Sequence, residues 1–105
     1  MLNNVTFVGR LTVDPELHNT QGGKPVVSCN IAVQNNKEDT VFISTVFWNK
    51  LAETLSKYCK KGSLISVQGF LKNDKYKDVQ ILRVVAVQFH MLEPKKKDNN
   101  QDLPF

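Results

Sequence analysis

The sequence predicts an all-β domain, a five-stranded Greek-key barrel with one helix between its third and fourth strands. Three observations lead there. Five segments alternate apolar and polar residues with period two or are rich in β-branched and aromatic types. A single segment in the middle of the chain repeats its apolar residues at helical spacing. The length of 105 residues, with 41% apolar and 23% charged content, suits one folded core rather than a disordered chain.

The elements follow in order. Asn4 to Thr12 is the first strand, dense in β-branched and aromatic residues. Asp14-Pro15-Glu16 and Thr20 to Pro25 carry turn chemistry, with Gly22 and Gly23 able to take positive φ. Val26 to Gln34 alternates cleanly, placing Val27, Cys29, Ile31 and Val33 on one face. Asn35 to Asp39 is polar and must turn. Thr40 to Trp48 is a third strand with two apolar faces: Val41, Ile43 and Phe47 on one, Phe42, Val46 and Trp48 on the other. Such a strand is either sandwiched or shows aromatics to a ligand. Asn49 is placed to cap a helix through its side-chain oxygen. Leu51, Ala52, Leu55, Tyr58 and Cys59 form that helix's apolar stripe over about three turns. Lys57, Lys60 and Lys61 favour its carboxyl end, and Gly62 stops it. Ser63 to Lys72 is the fourth strand, with Ile65, Val67 and Leu71 opposite Ser66, Gln68 and Phe70. Asn73 to Asp78 reads as a hairpin tip. Val79 to Phe89 is the fifth strand, with Val79, Ile81, Val85, Val87 and Phe89 sharing a face.

Three strands, a helix and two strands is the order of the OB-fold, a barrel that binds oligonucleotides or oligosaccharides across strands two and three. A split or SH3-like barrel fits the same pattern. Residues 1–93 form this domain. From Pro94 the chain turns to Lys95-Lys96-Lys97-Asp98-Asn99-Asn100, which is expected to be a disordered tail, yet it closes on apolar Leu103-Pro104-Phe105. The longest apolar run, Val84 to Val87, is far too short to cross a membrane. The amino terminus lacks the basic and apolar regions of a secretory signal, so a cytoplasmic protein is expected.

Chemistry is informative chiefly through what recurs. There is no Gly-rich phosphate loop, nucleophile elbow or zinc-protease motif, and His18 and His90 have no ligand-spaced companions, so neither an enzyme, a cofactor nor a metal is expected. Cys29 and Cys59 read as small buried apolar residues. Fourteen Lys and Arg against ten Asp and Glu give a net charge of +4, a mild lean toward polyanions. Aromatics stand next to cations: Trp48 before Lys50, and Phe70 and Tyr76 around Lys72 and Lys75, with Lys77 beyond. Unpaired bases stack on exposed rings at ~1–3 kcal/mol each whatever their identity, and cations neutralise phosphates. The pattern suits a single-stranded nucleic acid. Phe42 and Trp48 could equally be core residues, and Lys60 and Lys61 a merely solvated helix end.

Longer runs resemble a known family. Asn3-Asn4-Val5-Thr6-Phe7-Val8-Gly9-Arg10-Leu11-Thr12-Val13-Asp14-Pro15-Glu16-Leu17 is similar to the opening of bacterial-type single-stranded DNA-binding proteins. So are Phe47-Trp48-Asn49-Lys50-Leu51-Ala52-Glu53, Tyr58 to Ser63, Gly69-Phe70-Leu71 and Phe89 to Pro94, and Asp102-Leu103-Pro104-Phe105 resembles the family's docking tip. The resemblance implies an OB-fold without enzymatic activity that wraps single-stranded DNA in replication, recombination and repair. It implies a homotetramer, with a dimer as the alternative, paired through the first strand. It places stacking rings at Phe42 and Trp48, the hairpin aromatic at Tyr76 and basic contacts at Lys50, Lys61, Lys72 and Lys75, with Arg10 beside the first strand's glycine; Phe70 and Lys77, from the pattern of rings beside cations, complete the expected DNA-binding set. Replication and repair proteins would dock on Asp102, Leu103, Pro104 and Phe105. An OB-fold adaptor of replication restart, acting mainly through protein contacts, is the alternative.

Departures from the family pattern set further expectations. No aromatic stands near Lys37, and both the loop after strand two and the last hairpin are short. Asp74 replaces a common basic residue and would repel DNA locally. The linker is nearly absent, and only Asp98 and Asp102 supply acid near the tip. A smaller binding site, weaker binding and a tip of limited reach follow.

Overall fold

The alternation becomes six strands and a helix: β1 (Val5–Leu11), β2 (His18–Asn19), β3 (Pro25–Asn36), β4 (Asp39–Trp48), α1 (Lys50–Tyr58), β5 (Leu64–Tyr76) and β6 (Val79–Met91). These elements come from a computed structural model that describes residues 1–93. The expected disordered tail and its Asp102-Leu103-Pro104-Phe105 tip lie outside the described residues. Hydrogen-bonded neighbours run β1-β5-β6-β4-β3, and a further β1–β3 pairing closes the ring into a five-stranded barrel of OB-fold order. The two-residue β2, which the turn-rich segment did not announce, pairs with β3 outside that ring.

The joints of the ring are unequal. β3–β4 and β5–β6 are paired along most of their length. β1 meets β3 at Arg10↔Ala32 and Leu11↔Ile31, and β4 meets β6 in parallel at Thr45↔Val84 and Val46↔Val85. Two glycines permit the close crossings. A Cβ on Gly9 would collide with the Ala32 carbonyl, and one on Gly69 with the Val85 carbonyl. Inside, Val27, Ile31, Phe47, Ile65, Val67 and Val84 meet Ala52 and Leu55, by which α1 plugs one end of the barrel.

The fifth predicted strand needs correction. Val84 and Ala86 are buried, not Val85 and Val87. Gln68 pairs with Gln88 and Gly69 with Ala86, so Val87 is an extra residue in β6 and is 61% exposed. This bulge shifts the period-two phase, which is why Phe89 turns back toward the core while Val87 does not. Leu71 also departs from its expected burial, because the β5–β6 hairpin leaves the barrel there and Phe70 to Gln80 are all exposed. That arm is more regular than expected. Its ladder runs to Tyr76↔Val79, leaving Lys77 and Asp78 at φ 52° and 66° as a two-residue turn. Two positive φ values match the strand twist, and the usual Asn-Gly signal was missing.

The helix ends also differ from expectation. Asn49 makes no side-chain cap; its φ is 57°, its N–H donates to the Pro25 carbonyl, and its carbonyl accepts from Glu53 N–H. The helix ends at Tyr58 with Cys59 extended, so Lys57 lies in its last turn and Lys60 and Lys61 lie beyond it. Gly62 therefore does not cap the helix. At φ 91° it completes a tight turn in which Ser63 N–H donates to the Lys60 carbonyl, while its own N–H donates to the Leu11 carbonyl. Among the described residues, no helix is long and apolar enough to cross a membrane.

Both cysteines are buried and free. Burial pushes the Cys29 thiol from 9.0 up to about 11 and raises Cys59 as well. An unfolded chain would ionise at Cys29 from about pH 9 while the native thiol stays neutral, so this contribution is intact below pH 9 and lost as pH rises toward 11. Denaturant titrations of the wild type and Cys29→Ala should show the wild type losing about 2–3 kcal/mol relative to the variant over that interval. A constant difference across it would contradict the burial argument.

Candidate functional site

β4 decides whether its rings are core or surface. Phe47 is fully buried, whereas Phe42 is 63% and Trp48 36% exposed on the opposite side of the strand. Strand register extends this outer face sideways. Val46 lies opposite Ser28 on β3 and Val85 on β6, and Val85 lies opposite Phe70 on β5. Lys72 lies opposite Arg83 in the neighbouring row. Phe42, Trp48, Phe70 and Lys72 thus share one curved outer wall. Beyond Thr45 and Val84 the strands β4 and β6 diverge, opening an apolar groove of about 280 Å³ lined by Val41, Phe42, Ile43, Leu71, Leu82 and Arg83 among others.

Tyr76 is carried away from the wall at the end of the arm, exposed, with Lys77 Nζ 5.3 Å from its ring centre. Lys75 alternates to the other side of the arm from Lys72 and Tyr76. Lys50 opens α1 just past Trp48. Two expected contacts stand apart. Lys61 sits in the turn after the helix, its N–H donating to Asp14 Oδ1 at 2.8 Å. Arg10 is engaged: Nη1 donates to the Gly62 carbonyl at 2.8 Å and pairs with Glu93 at 3.0 Å. It ties β1 to the turn before β5 and to the segment after β6.

Sequence reading missed Arg83. Its side chain crosses β4, donating from Nη1 to Ser28 Oγ at 2.7 Å, and Nε lies 3.2 Å from Asp74 Oδ2. This covers Val46, which explains why an outward residue is buried. Asp74, the carboxylate expected to repel DNA locally, thus faces a guanidinium. A lone arginine in the apolar alternation of the fifth strand was the available signal.

The wall offers rings and cations. Among the described residues, no group of three or more His, Cys, Asp or Glu is placed to hold a metal ion. Such a surface suits flat, anionic heteroaromatic ligands. The model of the single-strand binding protein family matches residues 2–92. The chain is 38% identical to single-stranded DNA-binding protein 1 of Lactococcus lactis, covering 96% of this chain and 75% of that one. It is 40% identical to single-stranded DNA-binding protein 1 of a Staphylococcus aureus strain, over 96% and 72% of the two chains. It is 42% identical to single-stranded DNA-binding protein 2 of Streptococcus agalactiae, over 92% and 82%. With the closed barrel, the exposed rings of β4 and β5 and a family match from end to end of the described fold, the chain belongs to the single-strand binding protein family.

Proposed function

We propose that this protein binds and protects single-stranded DNA in replication, recombination and repair, without enzymatic activity and without strong sequence preference. The observation that carries the reading is the pair of rings, Phe42 and Trp48, exposed on the outside of one strand of a barrel whose relatives bear that name. Bases stack on Phe42, Trp48, Phe70 and Tyr76, while Lys50, Lys72, Lys75 and Lys77 neutralise phosphates. Arg10 and Lys61 contribute at the barrel rim, Arg10 only by leaving Glu93. Residues 1–93 are the binding unit. Residues 94–105 dock replication and repair proteins through Asp102, Leu103, Pro104 and Phe105, and the working form in the cytoplasm is a homotetramer.

A duplex hides its base faces, so stacking selects against it. Titration with oligo-dT should quench Trp48 fluorescence, duplex of equal length should quench it little, and affinity should fall as salt rises. Salt-independent binding or a preference for duplex would overturn the reading. Light scattering of the same samples checks subunit number.

A further inference from the structure

We propose that Arg83 is a phosphate-binding residue of the outer wall and that Asp74 blocks it in the free protein, a backbone phosphate taking the carboxylate's place when a strand binds. This rests on the single-stranded DNA reading above. Arg83 stands in the middle of the wall, opposite Lys72, one row from Phe70 and Val85, with its side chain only 20% exposed. Such a shielded guanidinium demands an anion more strongly than a lysine in open water does. The anion it has is poorly matched. Nε lies 3.2 Å from Asp74 Oδ2 but at an angle that makes no hydrogen bond, and it has no other partner among the described residues. The interaction is therefore charge contact alone, with a donor left unused.

Asp74 is also easily displaced. It lies where the arm has left the barrel, and its side chain is 49% exposed. By register it is the one carboxylate among the outward residues of the strand segments Val26 to Gln34, Thr40 to Trp48, Phe70 to Tyr76 and Val79 to Val85. A phosphate oxygen can accept from Arg83 Nε in line while Asp74 turns into water, and Lys72 on the same row can hold the same phosphodiester. The carboxylate is thus a built-in competitor that weakens binding and keeps a shielded cation from standing alone.

The test measures oligo-dT affinity against salt for the wild type, Asp74→Asn, Arg83→Gln and the double variant. Asp74→Asn should bind roughly three- to tenfold more tightly. Its log–log salt slope should match that of the wild type, because Arg83 meets the phosphate in both complexes, whereas Arg83→Gln should flatten the slope by about 0.7, the increment for one phosphate on a single strand. Arg83→Gln should bind more weakly and should erase the gain from Asp74→Asn. Should Arg83→Gln not fold, Arg83→Lys replaces it and should retain only part of that gain. An Asp74→Asn variant of unchanged or weaker affinity would overturn the proposal. So would an equal gain with and without Arg83, which would mean general relief of repulsion. A wild type that leaves oligo-dT unbound would overturn the functional reading and this proposal together, whereas the other adverse results sink only the latter.

Discussion

Replacing Phe47 by Ala should destabilise the protein by about 3–5 kcal/mol, a large share of what a domain of this size possesses. Phe47 is fully buried, lies opposite Val27 across the β3–β4 ladder, and meets Phe89 edge to face with ring centres 5.6 Å apart. The variant loses the transfer of a phenyl ring, its edge contact with Phe89, and close packing around the void left behind. The walls of a closed barrel cannot collapse to fill that void. Urea unfolding should show the loss in midpoint. A loss below about 1 kcal/mol would mean that the core repacks around the gap, contrary to the barrel argument.

The neighbouring residue should behave in the opposite way. Trp48→Ala combined with Phe42→Ala should leave stability within about 1 kcal/mol of the wild type and weaken single-stranded DNA binding by about 2–6 kcal/mol, roughly 30-fold to over 10⁴-fold. Both rings are exposed on one face of β4, and six residues of strand separate them by about 20 Å. In the proposed mode they stack on different bases, and their contributions should add. Oligo-dT titrations of each single variant and the pair check this. A pair that unfolds, or one that binds as tightly as the wild type, would remove the stacking surface from the account.

Phe47 and Trp48 also show what the sequence made legible. Alternation told that they face opposite ways, but not which side of the strand is inside. That depends on which strands lie across the barrel, and β4 has apolar residues on both faces. The inward face of β3 could be read from the alternation, because Ser28, Asn30 and Gln34 on its other side are polar and only one phase buries Val27, Cys29 and Ile31. β6 could not. Its extra residue at Val87 is announced by nothing in the linear pattern, and it sits beside the place where Gly69 lets β5 come up against the Val85 carbonyl. Asn49 was read as a side chain when its contribution is a positive φ. Rings and lysines could be found by type, whereas Arg83 matters only through Ser28 and Asp74, each distant in the chain or on another strand.

The unequal joints of the barrel have a mechanical consequence. Two broad ribbons, β1-β5-β6 and β3-β4, are sewn together by two short seams. Local opening costs least where few backbone bonds must part. One seam lies between β4 and β6, where Phe42 and Arg83 border the apolar groove. In the proposed binding mode, the line along which the wall unzips most cheaply is the line on which an arriving nucleotide strand presses, so breathing of the barrel and admission of its cargo would draw on a single soft coordinate.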